Sequence, residues 1–383
     1  MFEFTKPQKE IRKAARDFAK GEFDKEIAYE LDKSGGFPTE IWQKAADLGF
    51  IGIHFPEAYS GGDTGLLESV LIAEEFCRKD SSIGGALTLS GFASECLLGF
   101  GGDELKGRFL PRVAEGEILS SGAFSETEHG LDLSDVSTTA MRQGDEWIIN
   151  GRKNHVLNGG QAGFYVVLCR TAADDEPVDN ALSMILVEAN HDGIIIGDIG
   201  PRLGCKLTAV ADMTFTDVRV PLTNLIGKEG KGISQLEDFI AENRIMTAAQ
   251  ALGNALGALD RVLDYTKGRV QFGKKLAQFQ ISRHKIADMA LKTEMAALMT
   301  YKAAWSRDNG KLDNSLASMA KMAACRAAME VGAQTIQLFG GYGFMTEYEV
   351  ERFYRDAKVM ELHFGARETQ KDIIADAVIG KIK

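Results

Sequence analysis

Apolar residues recur every three or four positions through most of the first 120 residues, the spacing of amphipathic helices. Phe4, Ile11, Ala14, Phe18 and Phe23 begin one such stretch. Leu67, Val70, Leu71 and Cys77, opposed by Glu74 and Glu75, belong to another. Gly35-Gly36-Phe37-Pro38, Phe55-Pro56 and Gly61-Gly62-Asp63 divide the region into segments. From about Ser120 to Val220 the pattern changes to short β-rich runs at 147–151, 164–168, 182–187 and 213–220, separated by Gly, Asn and Asp. No helix-length segment intervenes, which predicts an antiparallel barrel or sandwich rather than a doubly wound sheet. After Pro221 helical spacing returns over 233–267, 282–307 and 314–339, joined by short loops, which predicts an antiparallel four-helix bundle. The expected fold is α+β: a helical domain at 1–120, a β domain at 121–222 and a helical bundle at 223–383.

Composition narrows the function classes. The chain has 383 residues, 45% hydrophobic and 26% charged, with a net charge of -11. That length requires more than one core. The acidic balance argues against nucleic acid or an anionic membrane as the main partner. No apolar run approaches the roughly 20 residues that span a bilayer, and the first residues lack a basic start followed by an apolar stretch. Cys77, Cys96, Cys169, Cys205 and Cys325 are scattered, without CxxC spacing, as in a reduced cytoplasmic protein. The histidines show no HExxH or paired metal-ligand spacing, so no metal site is expected.

Several segments carry a more specific signal. Ser125-Glu126-Thr127-Glu128-His129-Gly130-Leu131-Asp132 resembles the Thr-Glu-Pro-x-x-Gly-Ser-Asp loop of the acyl-CoA dehydrogenase family. Trp147-Ile148-Ile149-Asn150-Gly151-Arg152-Lys153, Asp217-Val218-Arg219-Val220-Pro221, the 224–232 segment, Arg269-Val270-Gln271-Phe272-Gly273 and Gln337-Leu338-Phe339-Gly340-Gly341 follow in the family's order. The resemblance spans nearly the whole chain. It implies noncovalent FAD between the β domain and the C-terminal helices, an acyl thioester substrate on coenzyme A or a carrier protein, and a homotetramer or dimer. An electron-transfer flavoprotein is the implied redox partner. It assigns Phe124, Ser125, His155, Leu157, Gln337, Gly340, Gly341, Ala366 and Glu368 to the cofactor, with Arg269, Phe272 and Gln280 on the segment that reaches FAD across a subunit interface. Arg269 has the planar fork that pairs with pyrophosphate oxygens. Leu131, Arg244, Ser90, Glu95 and Phe364 fall on the substrate side.

The chain departs from the family at the chemistry. Relatives carry a glutamate just before the last glycine of the Asp356–Gly365 segment, where it removes the α-proton of the thioester. This chain has Phe364 there. The alternative family position, before Arg244, holds Asn243. Replacement bases to consider are Glu242, expected to turn away by the ~100° of one helical step, and Glu361, which shares a helix face with position 364 if that stretch is helical. The third is His363, which titrates near neutrality. At the flavin, His155 replaces an aromatic residue, and Leu157 lacks the hydroxyl that relatives place at flavin N5. Leu131 replaces a serine at the pantetheine arm. These changes imply oxidation of a non-standard acyl group, such as a hydroxy-, amino-, cyclic or conjugated one. The alternatives are a non-redox elimination or cleavage of a thioester, and an FAD-binding homologue without activity.

Overall fold

The computed structural model describes residues 3–128, 130, 135–173 and 176–380. Seven helices come first: α1 (Lys6–Glu22), α2 (Lys25–Ser34), α3 (Thr39–Asp47), α4 (Leu66–Lys79), α5 (Ser81–Thr88), α6 (Ser94–Phe100) and α7 (Asp103–Ala114). Helix α1 begins at a capping box, with Thr5 and Gln8 satisfying each other's backbone N–H groups. Helix α5 starts where Asp80 accepts from the N–H groups of Ser82 and Ile83. Proline and left-handed glycine then set the punctuation that the sequence predicts, as at Gly35 after α2.

The middle of the chain forms one sheet: β1 (Leu119–Ala123), β2 (Thr139–Gln143), β3 (Glu146–Leu157), β4 (Ala162–Arg170), β5 (Leu182–Glu188), β6 (Ile194–Asp198), β7 (Val210–Pro221) and β8 (Leu225–Ile226). The order is β6-β7-β3-β2-β4-β5-β8, with β1 also on β4. The sheet corrects the sequence reading in two ways. It is open rather than a closed barrel: β6 and the two-residue β8 are its ends among the described residues, and so short a strand has no length with which to close it. It is also not wholly antiparallel, because β1 runs parallel to β4 and β2 meets β4 in parallel at Thr139 and Arg170. Parallel pairing needs a long connection, and the β2–β3 hairpin between β1 and β4 supplies it.

After the short α8 (Val178–Ala181), helices return as α9 (Gly232–Gly268), α10 (Gln280–Asp308), α11 (Asn314–Phe339), α12 (Val350–Leu362) and α13 (Arg367–Ile379). Helix α9 packs on α4 from the N-terminal region as well as on α10 and α11. Gly253 and Gly257 allow this approach, since a Cβ there would meet the carbonyl oxygens of Glu74 at 2.4 Å and Arg78 at 2.3 Å. Three apolar clusters result. One joins the first helices to the sheet and one fills the bundle. The third, with Phe92, Phe124, Phe239 and Phe364, lies where all three regions meet. No helix among the described residues is long and apolar enough to cross a membrane.

Candidate active site

The junction holds a cleft of about 1000 Å³. Phe124 and Ser125 follow β1 into it, Asn154, His155 and Leu157 come from the end of β3, and Phe239, Ile240 and Arg244 come from α9. The 362–366 segment between α12 and α13 and a loop at 201–205 complete the wall. The entry loop is fixed from below. Glu126 accepts from Lys153 Nζ at 2.8 Å, from the N–H groups of Ser137 at 2.9 Å and Thr138 at 3.0 Å, and from both hydroxyls. Burial opposes ionisation of Glu126, but the Lys153 charge and these hydrogen bonds bring its carboxyl down to about 2. The 201–205 loop is tied to α12, where Arg355 donates to the Leu203 carbonyl and buried Asp356 accepts from Cys205 N at 2.7 Å and from Ser82 Oγ at 2.6 Å.

The 363–365 segment is held through its main chain. Arg244 Nε and Gln370 Nε2 donate to the Phe364 carbonyl oxygen at 3.2 and 3.1 Å. Lys321 Nζ and Gln370 Nε2 donate to that of Gly365. Phe364 has φ 53, in the left-handed region that bulky side chains seldom occupy, as do His155 (φ 50) and Cys205 (φ 50) on the same cleft. Burial pushes Lys321 down to about 8 and Arg244 down to about 10. His363 lines the cleft. Burial, with Lys321 and Arg202 nearby, pushes it down to about 4, so its ring is neutral at pH 7.

A second, smaller chamber of about 80 Å³ lies behind the cleft, and Leu89, Phe92 and Phe364 line both. Its other walls carry His54, Ser90, Ser94, Glu95, Glu242, Asn243, Thr247 and Gln250. Glu242 bonds Arg307, and burial raises its carboxyl despite that charge. Burial, with the charge of Glu242 adding to it, pushes Glu95 up to about 8.

This geometry sorts the candidate residues. Glu242 does not turn away into solvent. The two cavities wrap around α9, so Phe239, Ile240 and Arg244 face the cleft while Glu242, Asn243 and Thr247 face the chamber, and one helical step stays inside the site. Glu361 is not brought to the cleft. Helix α12 ends at Leu362, so residues 361 and 364 share no helix face, and Glu361 pairs with Lys358 and Arg367, both at 2.6 Å. Ser90 and Glu95 line the chamber, and Ala366 the cleft. Glu368 stands exposed on the first turn of α13 and does not line the cleft. Arg269, Phe272, Gln280, Gln337, Gly340 and Gly341 do not line it either. Arg269 lies 5.3 Å from the Tyr342 ring, and Phe272, 93% exposed, projects from the hairpin of β9 (Val270–Gln271) and β10 (Lys274–Lys275). Leu131 lies outside the described residues. Sequence reasoning missed His54 and the 201–205 wall. The wall reads as a plain connector between strands, and His54 sits in a turn with no periodicity.

A helical domain, a sheet and a helical bundle sharing one large cleft make a cofactor-dependent enzyme architecture, and comparisons identify it. Family models for acyl-CoA dehydrogenase match throughout: the N-terminal domain over residues 5–117, the middle domain over 121–218 and the C-terminal domain over 230–379. The chain belongs to the acyl-CoA dehydrogenase family. It is 36% identical over 382 residues to an acryloyl-CoA reductase (NADH) of Anaerotignum propionicum, covering 99% of this chain and 96% of that one. Subunit CarC of a caffeyl-CoA reductase-Etf complex of Acetobacterium woodii is 35% identical over 389 residues, covering 99% and 100%. Among solved structures, butyryl-CoA dehydrogenase from Megasphaera elsdenii has a TM-score of 0.94 at 32% identity, covering 99% and 100%. Members of the family are FAD flavoproteins. The cleft has the volume for such a group, and its wall carries two buried polar atoms without partners, His363 Nδ1 and Asn154 Oδ1.

Proposed function

We propose that this chain is an FAD-dependent oxidoreductase that acts on a non-standard acyl thioester, with proton transfer not served by residue 364. The observation that carries this reading is the position of Phe364, at the passage between a cofactor-sized cleft and a polar chamber. FAD, when bound, supplies hydride transfer. Phe124, Ser125, His155, Leu157 and Ala366 would hold it in the cleft, and the N-terminus of α13 offers free N–H groups to an anionic group.

Phe364 lays an apolar ring where relatives place a carboxylate, so it excludes water there and accepts no proton. A positioned base typically contributes ~10²–10⁴-fold to such a step. Substrates whose proton leaves a heteroatom, as in hydroxy- or amino-acyl groups, do not depend on that base. Neutral His363 lines the cleft, and its buried Nδ1 has no hydrogen-bond partner among the described residues. Glu242 is the carboxylate on the far side of Phe364.

Phe272 and Arg269 lie on a surface away from their own cleft, which supports a dimer or tetramer in which a second copy completes the cofactor site. The name of the Acetobacterium woodii relative supports an electron-transfer flavoprotein as partner. The test is an anaerobic titration of the flavin-loaded protein with a thioester panel, read by flavin bleaching. Bleaching by hydroxy- or amino-acyl thioesters but not by butyryl-CoA supports the reading. Rapid, complete bleaching by butyryl-CoA, or a purified protein without flavin, overturns it.

A further inference from the structure

The small chamber behind Phe364 is unusual in what its polar groups are doing. Four hydroxyls on its wall spend their protons on backbone carbonyls: Ser90 on Leu87, Ser94 on Gly91, Thr247 on Asn243, and Thr88 on Gly84. The fifth, Ser69 Oγ, pairs with His54 Nδ1 at 3.4 Å. The first four are left with lone pairs. The two amides are turned the same way. Asn243 Nδ2 donates to the Phe239 carbonyl at 3.0 Å, and Gln250 Nε2 donates to Thr88 Oγ1 at 2.7 Å. Both residues are more than nine-tenths buried, at 7% and 2% exposure, and their amide oxygens are left without a donor.

Two carboxyl groups join these acceptors. Glu95 Oε2 is buried with no partner, and Glu242 has Arg307 as its one ion-pair partner among the described residues. His54 stands 3.8 Å from Glu95, with its Nε2 also buried and unpartnered, and burial pushes the ring down to about 4, so it brings no charge at pH 7. One arginine therefore faces two carboxyls. A buried acceptor without a donor is destabilising. Glu95, pushed up to about 8, avoids burying an unpaired charge by keeping its proton at pH 7, and ionises only against a cation brought to it. An apolar acyl tail would leave every one of these groups unsatisfied. A hydroxyl would satisfy one or two of them and would give Glu95 no cation to ionise against.

Resting on the thioester reading above, we infer that the chamber is a recognition site for a protonated amine at the end of a short acyl chain. The thioester and reacting carbons lie in the cleft, the chain passes Phe92 and Phe364, and the ammonium sits among Glu95, Glu242, Asn243 and Gln250. A chamber of about 80 Å³ admits only a few heavy atoms, which sets the class as a short amino-acyl thioester.

The isosteric pair 4-(dimethylamino)butyryl-CoA and 5-methylhexanoyl-CoA differs at one position, N–H⁺ against C–H. Dissociation constants on the flavin-loaded protein, by anaerobic titration calorimetry, are expected to favour the amine at least tenfold. In Glu95→Gln, which keeps size and hydrogen bonding but removes the acid, the preference is expected to fall below threefold with FAD content unchanged. Glu242→Gln, read alongside, covers the case in which Glu95→Gln does not fold. Equal or tighter binding of 5-methylhexanoyl-CoA overturns the inference. So does equal binding of neutral 3-hydroxybutyryl-CoA, or a preference undiminished in the folded variants. If both members of the pair bind alike, the amine site alone falls. If neither binds to flavin-loaded protein, the thioester reading falls and the amine site with it.

Discussion

The rings of Phe92 and Phe364 lie 5.7 Å apart, centroid to centroid, where the cleft and the chamber meet. Both are buried, and both belong to the cluster that Phe124 and Phe239 complete. An acyl chain reaching the chamber has to pass this pair. Phe364→Glu is therefore expected to place a carboxylate at the reacting carbons and to raise α,β-dehydrogenation of butyryl-CoA by ~10²-fold or more. Steady-state turnover with an artificial electron acceptor checks this. Activity at background with FAD fully bound would show that position 364 is not where the proton leaves.

Lys321 holds the same segment from the bundle side, donating to the carbonyl oxygens of Glu361 and Gly365. Lys321→Met keeps most of the buried volume but leaves two carbonyls without their charged donor. The expected loss is roughly 2–3 kcal/mol of stability, with weaker FAD retention, measured by denaturant unfolding and by the flavin-to-protein absorbance ratio. An unchanged unfolding midpoint would show that the segment is held without it.

Glu126 and Lys153 form a buried pair beneath the cleft, with Lys153 1% exposed. Glu126→Gln leaves the ammonium without a countercharge and is expected to cost roughly 3–5 kcal/mol. The double variant with Lys153→Met is expected to recover part of that loss, because no lone charge remains. Thermal unfolding of the single and double variants decides between an ion pair and simple packing.

Acid should weaken this protein above the range in which ordinary carboxylates titrate. His54 and His363 are both pushed down to about 4 by burial, against about 6.5 in an unfolded chain. As pH falls from about 6.5 towards 4, the unfolded chain binds protons that the folded one does not. Stability then falls with pH, by up to roughly 3 kcal/mol per histidine, and the loss is complete below about 4. Urea unfolding at pH 7, 5.5 and 4.5 measures it, and His54→Gln is expected to flatten the slope. A slope unchanged in that variant would assign the acid sensitivity elsewhere.

The helices were legible because their apolar spacing is long and regular. The expected 314–339 segment is α11 as observed, and 233–267 differs from α9 by one residue at each end. The sheet's topology was not legible. Strand β1 reads as a short run without a pairing signal, and its parallel partner is set by a connection rather than by residues. The site divided along the same line. Phe364 and His363 are named from the Asp356–Gly365 segment that contains them, and Ser90 and Glu95 from the likeness of the N-terminal helices to the family's acyl pocket. Glu361 failed because the end of α12 falls between it and Phe364, and a one-residue difference in where a helix stops decides which way a carboxylate points. Glu242 departs from expectation in the opposite direction: a rotation of ~100° normally leaves a site, but here two cavities share one helix and Glu242 lines the chamber.

Four hydrogen bonds fix residues 364 and 365, and all four end on main-chain carbonyl oxygens. The side chain at 364 takes no part in them. The segment is a socket whose shape belongs to Arg244, Lys321 and Gln370, and none of these hydrogen bonds depends on which side chain is plugged into it. A single codon can then exchange the reacting group while these four hydrogen bonds stay in place, so one scaffold can pass from one chemistry to another with only the packing around residue 364 to readjust.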